Sequence, residues 1–238
     1  MTKNDFKIKI FADGADAKGM REMYNAGYVS GFTTNPSLMK KAGVKDYASF
    51  AASILREIPD MPISFEVFAN DFPTMELEAR KIASWGKNVF VKIPIMNIYG
   101  KSAIPLIQKL SSEGVQLNVT VLFTIEQTRA AVKALTPGVA AIVSVFAGRI
   151  ADTGVNPVPI MSETAELCRG VQGAESLWAS TRETLNIFQA QECGVDIITV
   201  PNNIISMLNL IGKDLSLYTQ EAVQIFANDI AALGISVL

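Results

Sequence analysis

The chain contains no histidine. That absence removes Ser-His-Asp triads, Cys-His pairs and histidine-ligated metals. Acid–base chemistry falls to Asp, Glu, Lys or Tyr. Cysteine is scarce: Cys168 and Cys193 are the two in the chain, each in a segment that reads as helix. Neither has metal-ligand spacing around it, and both read as buried or half-buried thiols in a reducing cytoplasm. Neither sign of charge is in excess, with 21 basic residues against 23 acidic ones. The basic footprint of a nucleic-acid or membrane-surface partner is missing, which leaves room only for a local basic pocket. The longest apolar run, around VAAIVSVFAG, is well short of the ~18 residues that span a bilayer. MTKNDFKIKIFADG lacks an apolar h-region, so it is not expected to be a signal peptide. No G-x-x-x-x-G-K-[ST] loop occurs, and no G-x-G-x-x-G follows a strand.

What is present is material for a large core. Of 238 residues, 49% are hydrophobic and 18% charged, a globular composition without signs of disorder. Short β-rich runs read as strands at 8–13, 31–35, 63–68, 88–95, 116–123, 140–147, 176–181 and 196–201. Between them lie MREMYNAG, DYASFAASILREI, FPTMELEARKIASWG, GKSAIPLIQKLSSEG, IEQTRAAVKAL, VPIMSETAELCRG and TRETLNIFQAQECG. These place apolar residues at three- and four-residue spacing, and several end in glycine where a helix C-cap falls. A last helix is expected over about 215–233. Eight strands alternating with helices predict an α/β chain: a (β/α)8 barrel, one domain over 1–238 with an extra C-terminal helix. The alternative, a doubly wound open sheet, normally uses fewer strands and a Gly-rich first turn.

In a barrel the active site lies at the C-terminal strand ends. Polar residues converge there. Asp13 ends the first strand; Thr33 and Asn35 end the second. Glu66 and Lys92 lie near the ends of the third and fourth. Asn118 and Thr120, two apart, share a face on the fifth, as do Ser144 and Phe146 on the sixth and Ser180 and Arg182 at the end of the seventh. Lys92 is the conspicuous member, a single charge inside the apolar run VFVKIPI. Burial disfavours the ammonium form, and a neutral amine attacks carbonyls to form Schiff bases. The bland alternative is a buried ion pair with Glu66 or Asp13, which leaves the polar ring unexplained. A Schiff base is an electron sink that lets the neighbouring carbon–carbon bond break. Asp13 and Glu66 are the acids available to move the protons. Asn35 and Asn118 suit substrate hydroxyls, and Thr120 suits a water. Arg149 and Arg182 follow the sixth and seventh strands, and their planar forks suit phosphate or another tetrahedral anion.

FADGAD, GFTTNPSL, SFEV, VKIPI, LNVTVLFT, SVFAGRIAD and WASTR, in that order, resemble the transaldolase family, whose short members include the fructose 6-phosphate aldolases. The resemblance runs from Phe11 to at least Pro201. It implies a (β/α)8 barrel, a Schiff-base lysine on the fourth strand, no metal and no organic cofactor. Residue by residue, Lys92 matches that lysine and Asp13 the acid that handles the hydroxyl proton at the cleaved bond. Asn35 matches the asparagine of TTNPS, within which Thr33 also lies. Glu66 matches the carboxylate that works with a catalytic water, and Asn118 and Thr120 the pair that holds substrate and that water. Ser144 and Phe146 match the sixth-strand pair; Arg149, Ser180 and Arg182 match the phosphate site. In the aldolase branch a glutamine stands at Glu66 and a tyrosine at Phe146, so this chain carries the transaldolase pair. Transfer of a dihydroxyacetone unit to an aldose is therefore expected, with release of free dihydroxyacetone as the alternative. Thr181 departs from the longer members, which carry an aromatic there, and this admits a sulfonated sugar beside a phosphorylated one. The resemblance further implies a cytoplasmic homo-oligomer, pentameric or decameric in many short members, with the C-terminal helix on a neighbour. Nucleic-acid and membrane partners are not expected.

Overall fold

The computed structural model describes residues 6–235 and 237. Residues 1–5, part of the stretch read as lacking a signal peptide, lie outside the described residues. The strands are β1 (Lys9–Asp13), β2 (Gly31–Thr33), β3 (Ile63–Glu66), β4 (Val89–Pro94), β5 (Leu117–Leu122), β6 (Ala141–Val145), β7 (Ala174–Trp178) and β8 (Ile197–Pro201). All pair in parallel with their sequence neighbours, and β8 pairs with β1, closing the barrel in chain order. The strands are largely apolar because both faces are covered, one by the barrel interior and one by the helices. Every residue of β6 is buried, for example.

The helices are α1 (Ala17–Ala26), α2 (Pro36–Lys41), α3 (Tyr47–Glu57), α4 (Phe72–Ala83), α5 (Ile104–Ser112), α6 (Ile125–Lys133), α7 (Ala147–Asp152), α8 (Val158–Arg169), α9 (Leu185–Glu192), α10 (Asn202–Ile205) and α11 (Leu215–Leu233). Their starts are written in capping side chains. Asp16, Asp46, Asp71 and Asp214 each accept a hydrogen bond from a backbone N–H of the first turn. Thr124 and Gln127 form a reciprocal capping box on α6. The apolar faces of α3, α4, α5, α6 and α8 pack on the barrel wall, burying Ile54, Met75, Ile107, Val132 and Met161 among others.

The expected strands and long helices are present with boundaries shifted by a few residues. Three short helices were not anticipated: α2, α7 and α10. Each begins within three residues of a strand end, and none is long enough to show a repeating apolar face. They form part of the rim that carries the polar residues. α11 is different again. None of its described residues is buried, and Val223, Phe226, Ile230 and Leu233 are all exposed. No helix of the described residues is long and apolar enough to cross a membrane.

Candidate active site

A cavity of about 500 Å³ opens at the C-terminal ends of the strands. All twelve residues singled out from the sequence line it. The register explains the convergence. Glu66 lies opposite Lys92, and Lys92 opposite Asn118, so β3, β4 and β5 present one row of polar side chains. Asp13 lies opposite Thr33 on the other side.

Lys92 is 7% exposed. Its Nζ donates to the carbonyl of Thr34 at 2.8 Å and stands 3.2 Å from Glu66 Oε2. The ion pair weighed as the bland alternative is thus present. It does not close the site, because both partners still line the cavity. A carboxylate beside the amine is placed to take or return a proton there.

Asp13 accepts from Thr33 Oγ1 at 2.9 Å and from Asn35 Nδ2 at 3.5 Å. Burial holds its carboxyl above the ordinary carboxylate value. The Lys92 charge and the Thr33 and Asn35 hydrogen bonds oppose that rise, and Glu66 adds to it. A carboxyl shifted upward is suited to giving and taking protons nearer neutrality. Thr33 is fixed in turn by the hydroxyl of Thr199. Asn35 caps α2, its Oδ1 accepting from Leu38 N–H at 3.0 Å with Pro36 at the first helical position. The TTNP run therefore starts a helix and points one amide at the acid.

Asn118 is held at both ends of its amide. Nδ2 donates to Ser64 Oγ at 3.0 Å and Oδ1 accepts from Ser144 Oγ at 2.6 Å. Thr120 Oγ1 is buried and has no hydrogen-bond partner among the described residues, so its hydroxyl is available to a molecule in the cavity. The next residue, Val121, has φ 63°. It sits where the β5–β6 register slips between Val119 and Leu122. A left-handed β-branched residue is an outlier whose strain is typical of functional sites.

The far wall carries the cations. The Arg149 guanidinium lies 5.1 Å from the centroid of the Phe146 ring, within cation–π range. Arg182 pairs with Asp152, its Nε donating to Oδ1 at 3.2 Å. Both arginines are exposed and line the cavity. The segments that carry them, α7 and the loop after β7, meet at Gly148 and at Ser180, which has φ 62°. Thr181 is buried and commits its hydroxyl to the Thr199 carbonyl, donating at 2.7 Å. The thiols take no part. Cys168 and Cys193 are free and buried, and burial pushes the Cys168 thiol up to about 12.

The sequence reading missed Ser64, Thr199 and Ser37. Ser64 stands two residues before Glu66 on β3, and Thr199 two before Pro201 on β8, so alternation along a strand held the signal for both. Ser37 lines the cavity from α2, a helix too short to be read.

Fold and site together describe a (β/α)8 barrel whose mouth is organised around one buried lysine and two carboxylates, with two arginines on the opposite wall. The family model described as transaldolase/fructose-6-phosphate aldolase matches residues 10–237. A probable transaldolase of Dehalococcoides mccartyi is 36% identical over 203 residues, covering 84% of this chain and 90% of that protein. One of Methanococcus maripaludis is also 36% identical, with 84% and 89% covered. Among solved structures, KGPDC from Streptococcus mutans superposes with a TM-score of 0.57 at 12% identity, over 85% of this chain and 91% of that one, a likeness of fold. The chain belongs to the transaldolase/fructose-6-phosphate aldolase family. Membership assigns it that family's general reaction, transaldolase-type chemistry on sugar phosphates.

Proposed function

We propose that this chain is a metal-independent Schiff-base transaldolase, moving a dihydroxyacetone unit from an anionic ketose to an aldose. The observation that carries the reading is the Lys92 amine, almost fully buried yet lining the cavity, with Glu66 at 3.2 Å. In the first half-reaction the amine adds to the ketose carbonyl and water leaves, giving an iminium. The bond between the carbons α and β to it then breaks. Its electron pair enters the iminium to form an enamine, while the β-carbon hydroxyl gives its proton to Asp13 and becomes the departing aldehyde. In the second half-reaction the enamine carbon attacks an acceptor aldehyde and Asp13 returns the proton. Water then releases the ketose. Glu66 moves protons for the water steps, and Thr120 offers its unpaired hydroxyl to that water.

Thr33 and Asn35 position Asp13 and, with Asn118 and Ser144, receive the sugar hydroxyls. Phe146 shapes the wall below Arg149. Arg149, Ser180 and Arg182 receive the terminal anion, phosphate or sulfonate. Glu66 and Phe146 favour transfer over release of free dihydroxyacetone. Two buried free thiols fit a cytoplasmic setting. The uncovered apolar face of α11 fits a homo-oligomer, pentameric or decameric, in which a second copy covers it.

Borohydride reduction in the presence of a ketose phosphate should leave a three-carbon adduct on Lys92, read by peptide mass. An adduct elsewhere, or none, overturns the mechanism. Rapid appearance of free dihydroxyacetone without an acceptor would assign the chain to the aldolase branch. Product masses from phosphorylated and sulfonated ketoses identify the anion.

A further inference from the structure

The β2–β3 ladder stops one rung early, next to the lysine. Phe32 pairs with Ile63 and Thr33 with Ser64. Phe32 N–H donates to Pro62 O at 2.9 Å, and Thr34 N–H donates to Ser64 O at 3.1 Å. In a parallel ladder the next bond runs from Glu66 N–H to Thr34 O. Here Glu66 N–H donates to the hydroxyl of Tyr47 at 2.7 Å, and Tyr47 Oη–H donates to Glu66 O at 3.2 Å. The Thr34 carbonyl accepts from Lys92 Nζ at 2.8 Å.

We propose that Tyr47 is a positioning residue of the lysine site. Its hydroxyl takes the backbone hydrogen bond that Glu66 would otherwise give to Thr34, which leaves the Thr34 carbonyl to hold the Lys92 amine. One phenol thus fixes the backbone of Glu66 and, through a displaced ladder bond, the amine beside it. This role rests on the Schiff-base reading above.

The surroundings of Tyr47 make it rigid. Its ring stacks on Phe68 at 4.7 Å and meets Phe65 and Trp85 edge-on at 5.9 and 5.2 Å. The side chain arrives from the first turn of α3, which Asp46 caps. Burial raises the phenol above its ordinary value, so it remains a neutral donor and acceptor at working pH. Both of its backbone partners belong to the residue that faces Lys92.

Y47F keeps the ring and its three aromatic neighbours and should fold, with Glu66 N–H turning to Thr34 O, the acceptor that a parallel ladder gives it. The carbonyl is then contested by Lys92. Turnover and borohydride trapping of Lys92 with a ketose phosphate should each slow about tenfold, the scale of one neutral hydrogen bond, with KM within about twofold. F68L loosens the same aromatic cluster, retains the hydroxyl, and should lose Tm while keeping kcat. Wild-type kcat in Y47F overturns the role. So does a fall in kcat that tracks Tm equally in both variants. If wild-type protein gives no adduct on Lys92, the Schiff-base reading fails first and takes this role with it.

Discussion

A Cβ placed on Gly148 would stand 1.7 Å from the carbonyl oxygen of Ser180. The start of α7 and the end of β7 touch backbone to backbone, with Gly148 N–H donating to Ala179 O at 3.2 Å. The contact ties together the two segments that carry Arg149 and Arg182. Gly148→Ala must push them apart, at a cost of about 1–3 kcal/mol for overpacking. The same movement separates the guanidinium groups, so KM for a ketose phosphate should rise more than kcat falls. A lowered Tm with an unchanged KM would show that the contact is structural only.

Asp13 links activity to stability with opposite signs. Its carboxyl is raised above the ordinary 3.8 by burial. From pH 3.8 up to the raised value, the folded protein holds a proton that the unfolded chain has released. The native state binds more protons there, so stability falls as pH rises through that window and stays reduced above it. Asp13→Asn removes the ionisation. It should melt higher than wild type at pH 7, lose that advantage in acid, and turn over about 10²–10⁴-fold more slowly. A lower Tm than wild type at pH 7 would refute the sign.

Val121 is held left-handed at φ 63°. Val→Gly in a strand ordinarily destabilises, by roughly 0.5–1 kcal/mol from glycine's entropy alone. At this position relief of about 1–3 kcal/mol of strain opposes that cost. V121G should therefore melt within a few degrees of wild type or above it. Activity is expected to fall, because Thr120 beside it loses a fixed backbone. A destabilisation well beyond the ordinary value would mean that the conformation carries no strain.

Val223, Phe226, Ile230 and Leu233 repeat at three- and four-residue spacing along α11, all exposed. F226E/I230E leaves the barrel core untouched. Light scattering should give the mass of several chains for the wild type and a smaller mass for the variant. A wild-type monomer would remove α11 as an assembly element.

The barrel was legible because most strands are β-branched and all are bounded. ISFEVF and VFVKIPI announce their type and their ends within a few residues, and alternation tells which side chains share a face. The polar rim followed from that alternation alone, which is why Glu66, Lys92 and Asn118 emerge in one row. What stayed hidden depended on contacts far apart in sequence. Tyr47 sits in a helical stretch and looks like one more apolar residue of its face. Its partners lie 19 residues away, and no local pattern connects them. Gly148 reads as a helix residue of low propensity until Ser180 arrives from the end of the neighbouring strand. Thr199 hides in DIITVP, where a β-branched residue is what a strand calls for.

The Thr181 hydroxyl is committed to the Thr199 carbonyl. On the proposed reading of the arginine wall, Thr181 then adds no donor to it, and the anion is left to the two guanidinium groups and Ser180. A phosphate monoester and a sulfonate share a tetrahedral shape and differ in charge near neutral pH. Raised ionic strength should therefore raise the KM for a ketose phosphate more than that for a sulfonated ketose.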